Sequence, residues 1–220
     1  MNVHYDFRFA DGRHVAFRVS GEPAPKPQKP PAWTRLDHCK CSNCPLKAED
    51  SPHCPAALAI LPVVEAFGGE DAYAKVDVEV TDDRRTYRKQ TSMEEALRSL
   101  LGLNMAVSGC PILGELRSMA IHHLPFASSD EFIMRSVSHY LLEQYYAKRA
   151  GETPDWDLKG LVARNQKLQL VNQALWQRIH AVCQGDSNLK ALLNFFSMAS
   201  SVSVSLESQL RKLEARLRGA

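Results

Sequence analysis

The sequence predicts an α+β protein in which helix predominates. Two short β-type stretches are each closed by a local turn, at residues 4–19 and 74–89. After residue 55 most of the chain reads as helix, with cap signals at the ends. The β part is expected to be antiparallel, because both ribbons are local in sequence.

Tyr5-Asp6-Phe7-Arg8-Phe9 and Val15-Ala16-Phe17-Arg18-Val19 flank Asp11-Gly12, a dipeptide suited to a tight hairpin turn. This hairpin makes up a first unit, 1–21. Five prolines within 22–32 then predict an extended linker. The remainder, 33–220, is read as a cysteine-rich segment followed by a helical body. Within it Pro55 opens a helix that ends at Gly68-Gly69. Ala74–Val80 alternates as a half-buried strand, with Arg85–Lys89 as its partner. Thr91-Ser92-Met93-Glu94 reads as a capping box for a helix to about Val107. Pro111–His122 is the next expected helix, and Ser128–Glu131 caps another. Asp155 or Asp157 is expected to start a long helix to about Cys183. The last helix follows Gly185-Asp186, although Ser201–Ser205 also fits a short strand.

Net charge is +2, from 27 basic and 25 acidic residues. That balance gives no electrostatic argument for nucleic acid or an anionic membrane. The N-terminal residues lack the basic-then-apolar pattern of a secretory signal. The apolar run Ala56–Val64 is too short to span a bilayer. A cytoplasmic protein is expected. In a reducing compartment, 6 cysteines favour metal ligation or thiol chemistry over disulfides.

Four of them crowd into His38-Cys39-Lys40-Cys41-Ser42-Asn43-Cys44-Pro45 and His53-Cys54-Pro55. Cys41-x-x-Cys44 can chelate from one turn, Cys39 adds a third sulfur, and Cys54 closes the set. Four thiolates suit tetrahedral zinc. They also suit an iron–sulfur cluster, whose ligands are often followed by proline. Cys39, Cys41, Cys44 and Cys54 are therefore the expected metal ligands, with His38 or His53 as a substitute for one sulfur. Redox thiols, and a zinc that merely pins the linker to the body, stay open beside these readings.

Cys41–Leu46, Ser108-Gly109-Cys110-Pro111, His123-Leu124-Pro125-Phe126-Ala127 and Asp155-Trp156-Asp157-Leu158, in that order, resemble an uncharacterised bacterial family of unknown function. The resemblance runs from about Cys39 over most of the chain. It implies a bacterial protein and brings no activity or cofactor.

Cys110 is the candidate catalytic nucleophile, since Pro111 would make it the N-cap of a helix. Against this stands a small buried cysteine at a tight turn. A Cys110–His122 dyad is excluded within one straight helix, whose ends would lie roughly 16 Å apart. His122 and His123 are expected at a helix C-terminus, on a surface or interface. Arg135, His139 and Glu143 share a helix side, for a ligand or for solvent.

Leu161, Asn165, Leu168, Asn172, Leu175, Ile179 and Val182 form a heptad seam. Asn172 is either part of it or at its rim, if Val171 takes its place. Leu206, Leu210, Leu213 and Leu217 repeat the pattern. They are expected to dock on that seam or on its counterpart in a second subunit, giving a homo-oligomer. No phosphate loop, nucleophile elbow or His-Glu-x-x-His helix is present. The expected function is a zinc-binding regulatory, sensor or adaptor protein, with an iron–sulfur protein or a thiol enzyme using Cys110 as the alternative.

Overall fold

The computed structural model describes residues 1–22, 27–204 and 206–219, with the side chains of 195, 196, 198–204 and 217 left aside. The alternation Val3-x-Tyr5-x-Phe7 sets the sheet. Strand β1 (Asn2–Arg8) turns these three inward and His4, Asp6 and Arg8 outward or to the rim. Strand β2 (His14–Ser20) pairs antiparallel with it, Tyr5 opposite Phe17, and Gly12 in the turn takes φ of +87°. Strand β3 (Lys75–Thr81) pairs with the other edge of β1, and β4 (Thr86–Ser92) pairs with β3. The two local ribbons are thus one antiparallel sheet, in the order β2-β1-β3-β4.

Of the expected linker 22–32, residues 23–26 lie outside the described residues. Residues 27–31 carry no helix or strand and lead into a 3₁₀ turn, Ala32–Thr34. Helix α1 (Pro55–Phe67) has Cys54 at its N-cap and proline at its first position. Its last residue, Phe67, packs on Phe7 and Phe17, with ring centroids 4.9 and 5.6 Å away. This aromatic contact fastens the sheet to the helices. Helix α2 (Met93–Ala106) is capped one residue later than expected: Ser92 Oγ accepts the Glu95 N–H.

The expected helix Pro111–His122 is broken. Cys110 and Pro111 enter a turn closed by the Gly114 N–H on the Cys110 carbonyl (2.8 Å). A 3₁₀ turn, Leu113–Leu116, follows, and only Arg117–Ile121 (α3) is α-helical. Helix α4 (Ser129–Arg149) has the expected capping box between Ser128 and Glu131.

Helix α5 (Lys159–His180) starts later than expected. Asp155 still provides its cap, accepting the Gly160 N–H (2.7 Å) and the Tyr140 O–H (2.8 Å). A Cβ on Gly160 would crowd the Tyr140 hydroxyl. Asn165 and Asn172 are both buried, and so is Val171; the apolar stripe therefore takes in both alternatives. It stops at Ile179, because Val182 is exposed.

Helix α6 (Ser187–Val204) packs along α5 and α2, so residues 201–204 are helix rather than strand, while Ser205 lies outside the described residues. Helix α7 (Leu206–Arg218) lays half-buried Leu206, Leu210 and Leu213 on the core, beside α4 and α6. The tail stripe thus docks within its own chain and on a different surface from the expected α5 seam; the Leu217 side chain lies outside the described residues.

The α5–α6 turn holds the end of α1. Gln184 and Gly185 N–H groups both meet the Gly68 carbonyl at 2.8 Å, and Ser187 Oγ donates to the Phe67 carbonyl. A Cβ at Gly185 would lie 2.3 Å from the Glu70 carbonyl oxygen, which is backbone and cannot step aside. Gly185→Ala is expected to cost about 1–3 kcal/mol of stability, as overpacking does. Urea unfolding checks this, with Gly69→Ala, where a Cβ meets nothing, as the control.

Candidate functional site

The cysteine-rich segment is held by its backbone. The Leu36 N–H meets the Pro52 carbonyl (2.9 Å), and the Cys54 N–H meets that of Thr34 (2.8 Å). These two bonds bring the ends of the 34–54 loop together. The Cys44 N–H closes a turn on the Cys41 carbonyl (3.0 Å), which places the Cys-x-x-Cys pair on one turn. His53 Nδ1 bonds Thr34 Oγ1 (2.8 Å), and His38 is exposed. Cys39 is half-buried with φ of 46°, a left-handed backbone unfavourable for a side chain other than glycine or asparagine.

Arg178 of α5 anchors the loop from the other side. Its guanidinium donates to the carbonyls of Trp33 (2.9 Å), Arg35 (2.6 Å) and Leu36 (3.2 Å). The side chain is 1% exposed, and its Nε has no partner. Among the described residues no carboxylate forms an ion pair with it.

Cys41, Cys54 and Cys110 are buried and Cys44 is half-buried; all are free thiols. Burial pushes the Cys41 thiol up to about 12, helped by the neighbouring Cys54, Cys44 and Cys110 and opposed by Arg178. Burial also raises the Cys110 thiol, against N–H groups of Leu113 and Ile112 donated to it, and Cys54 and Cys44 act on it in turn. The fold thus brings Cys110, 56 positions from Cys54 in sequence, into the company of Cys41, Cys44 and Cys54. Its Ser-Gly-Cys-Pro motif has a local reason. Ser108 Oγ donates to the Met105 carbonyl and accepts the Cys110 N–H, while Gly109 takes φ of +82°. As the side chains stand, no three His, Cys, Asp or Glu among the described residues converge enough to hold a metal ion. Arg135, His139 and Glu143 find separate partners: carbonyls of Met119 and His122, the ring of His122, and Arg164.

A second polar cluster escaped the sequence reading. His122 does end α3 and is exposed, but His123 turns inward. Its Nε2 lies 2.6 Å from the hydroxyl of fully buried Tyr5, which in turn lies 2.7 Å from Ser99 Oγ. Burial, reinforced by Arg135 and opposed by Asp82, pushes the imidazole down to about 4. The Phe126 N–H donates to Ser99 Oγ (3.3 Å), and Phe126 itself has φ of 59°. The His-Leu-Pro-Phe-Ala stretch was the available signal; only the sheet-to-helix packing shows that Tyr5 is its partner. This cluster borders a cavity of about 80 Å³ between α2, α3 and the start of α4.

These features define a helix-dominated α+β protein with a buried thiol corner and a separate small cavity. The chain belongs to a family described as a domain of unknown function (DUF6901), whose model matches residues 3–218. No curated protein and no solved structure matches the chain.

A half-buried histidine held neutral has a consequence for acid stability. Unfolded histidine takes its proton near pH 6.5, whereas folded His123 takes it near 4. The unfolded chain therefore binds the proton first as pH falls. The stability is complete above about pH 6.5 and is lost down to about pH 4, by about 3 kcal/mol in all. Urea unfolding at pH 7 and pH 5 should differ by about 2 kcal/mol from this group. His123→Gln should remove that part of the difference; an unchanged slope would show that another group carries it.

Proposed function

We propose that this chain binds one metal centre through Cys41, Cys44, Cys54 and Cys110, and acts as a regulatory, sensor or adaptor protein rather than an enzyme. The observation that carries the reading is Arg178: a buried guanidinium with no carboxylate partner among the described residues, beside neutral thiols. A buried cation needs an anion. Four thiolates around Zn²⁺ carry net negative charge, and the guanidinium would balance part of it. Ligand thiols lose their protons when metal binds, so the cysteines themselves would become the counter-charge.

The Cys41–Cys44 turn, the α1 N-cap and the Ser108–Pro111 turn each supply a ligand in this reading. Binding draws in side chains that do not yet converge and ties three segments together. Zinc is the first choice, because four sulfurs from the protein leave no open position for chemistry. An iron–sulfur cluster is the second reading, favoured by proline after Cys44, Cys54 and Cys110. Thiol catalysis by Cys110 is disfavoured here, since burial raises its pKa. No helix among the described residues is long and apolar enough to cross a membrane. Six free cysteines fit a reducing compartment, and we place the protein in the bacterial cytoplasm. Association of copies through the helices belongs to the same reading, since α4 leaves Leu142, Tyr145 and Tyr146 exposed.

Metal analysis and visible spectra of anaerobically purified protein test this. One zinc per chain, colourless, is the expected result; a brown protein that bleaches on reduction selects the cluster. Cys110→Ser should lose the metal and Cys39→Ser should keep it. Chelation that costs about 3 kcal/mol would lower Tm by about 6–12 °C in a chain of this size. Metal-free protein of undiminished Tm would refute the centre, and loss of metal in Cys39→Ser but not Cys110→Ser would return Cys39 to the ligand set.

A further inference from the structure

The cavity beside His123 is separate from the thiol corner, and its walls are mostly apolar: Leu103, Ala106, Leu116, Met119 and Phe132 contribute to them. Its charged lining is Arg98 and Arg135, with no carboxylate. Arg98 gives one Nη to the Ala127 carbonyl (3.1 Å), and Glu95 stands off at 3.9 Å. Arg135 spends Nη2 on the Met119 and His122 carbonyls, both at 2.7 Å. Each guanidinium has five N–H groups, so both retain donors.

A hydrogen-bond chain lies at the back of the cavity: Ser99 Oγ accepts from Phe126 and shares a hydrogen bond with the Tyr5 hydroxyl, which also bonds His123 Nε2. The charged groups around this apolar space are therefore donors, two guanidinium groups. Arg98 meets only Glu95, at 3.9 Å and itself held by Lys89 at 2.7 Å, and Arg135 forms no ion pair among the described residues, so the two positive charges are under-compensated.

The size sets the rest. One water needs about 10–15 Å³ on this measure, so 80 Å³ admits about five to eight non-hydrogen atoms. Gly102, in mid-α2, lines the cavity.

We infer that this cavity binds a short-chain monocarboxylate, its carboxylate on Arg135 and Arg98 and its alkyl tail on the apolar wall. Planar carboxylate matches the guanidinium fork, and burial of the tail adds affinity that an inorganic anion cannot gain. The inference is independent of the metal centre.

Isothermal titration with hexanoate, against hexanol, hexylamine and inorganic phosphate, tests it on the full chain. Saturable binding of hexanoate alone is expected, weakened by added salt. Arg135→Gln and Arg98→Gln should each weaken it by about tenfold or more, as loss of a charge-assisted pair does. Gly102→Leu should abolish it, with an unchanged circular-dichroism spectrum and unchanged metal content. Absence of hexanoate binding to the wild-type chain overturns the inference, as does equal binding of hexanol or phosphate. Full hexanoate affinity in Gly102→Leu would overturn the location.

Discussion

The guanidinium of Arg178 is the constraint around which the N-terminal half of the helical body is arranged. Burying an ion costs several kcal/mol even after relaxation, and only well-placed acceptors offset it. Here the acceptors are three backbone carbonyls from residues 33–36, a stretch too short to build regular structure. The bonding serves both sides. The loop's carbonyls need donors because Trp33, Thr34 and Leu36 are buried, and the arginine needs acceptors because α5 is packed on α6. Once this contact is made, the Thr34 carbonyl can accept the Cys54 N–H and the Leu36 N–H can donate to the Pro52 carbonyl. The start of α1 is then fixed relative to α5.

Two further contacts pass this order outward. The turn at 184–187 caps α1 with backbone donors, which is possible only because Gly185 allows backbone to approach backbone. Phe67, at the end of the same helix, meets Phe7 and Phe17 of the sheet. Helix α1 therefore carries a thiol at its start and the sheet contact at its end, and neither can shift without the other.

Much of this was legible locally. Asp11-Gly12, Pro55, the Ser128–Glu131 box and the alternation in β3 each act within a few residues, and each feature forms as the sequence predicts. What the sequence hid is non-local. Nothing in the hairpin says that β1 pairs with β3. Helical periodicity in Pro111–His122 does not reveal that Ser108, Gly109 and Pro111 impose a turn ahead of it. Nor does the cysteine-rich segment say that Cys110, 56 positions beyond Cys54, is among the thiols acting on Cys41. From sequence, His123 is expected with His122 at a helix C-terminus, on a surface or interface. Its true environment depends on Tyr5, which is 118 residues away.

The broken segment after α2 has a physical logic of its own. Ser108 takes the last carbonyl of α2's exit, Gly109 supplies the left-handed backbone, and Pro111 needs no N–H partner. The chain then tightens into a 3₁₀ turn, in which Leu113 is buried and Leu116 reaches the cavity wall. Cys110 and Leu116 thus face different sites from one short stretch. Helix α2 runs into this stretch and lines the cavity with Ser99, Gly102 and Leu103, so the thiol corner and the cavity are built on adjoining backbone. Their chemistries are kept apart by packing, while their positions are fixed together by backbone.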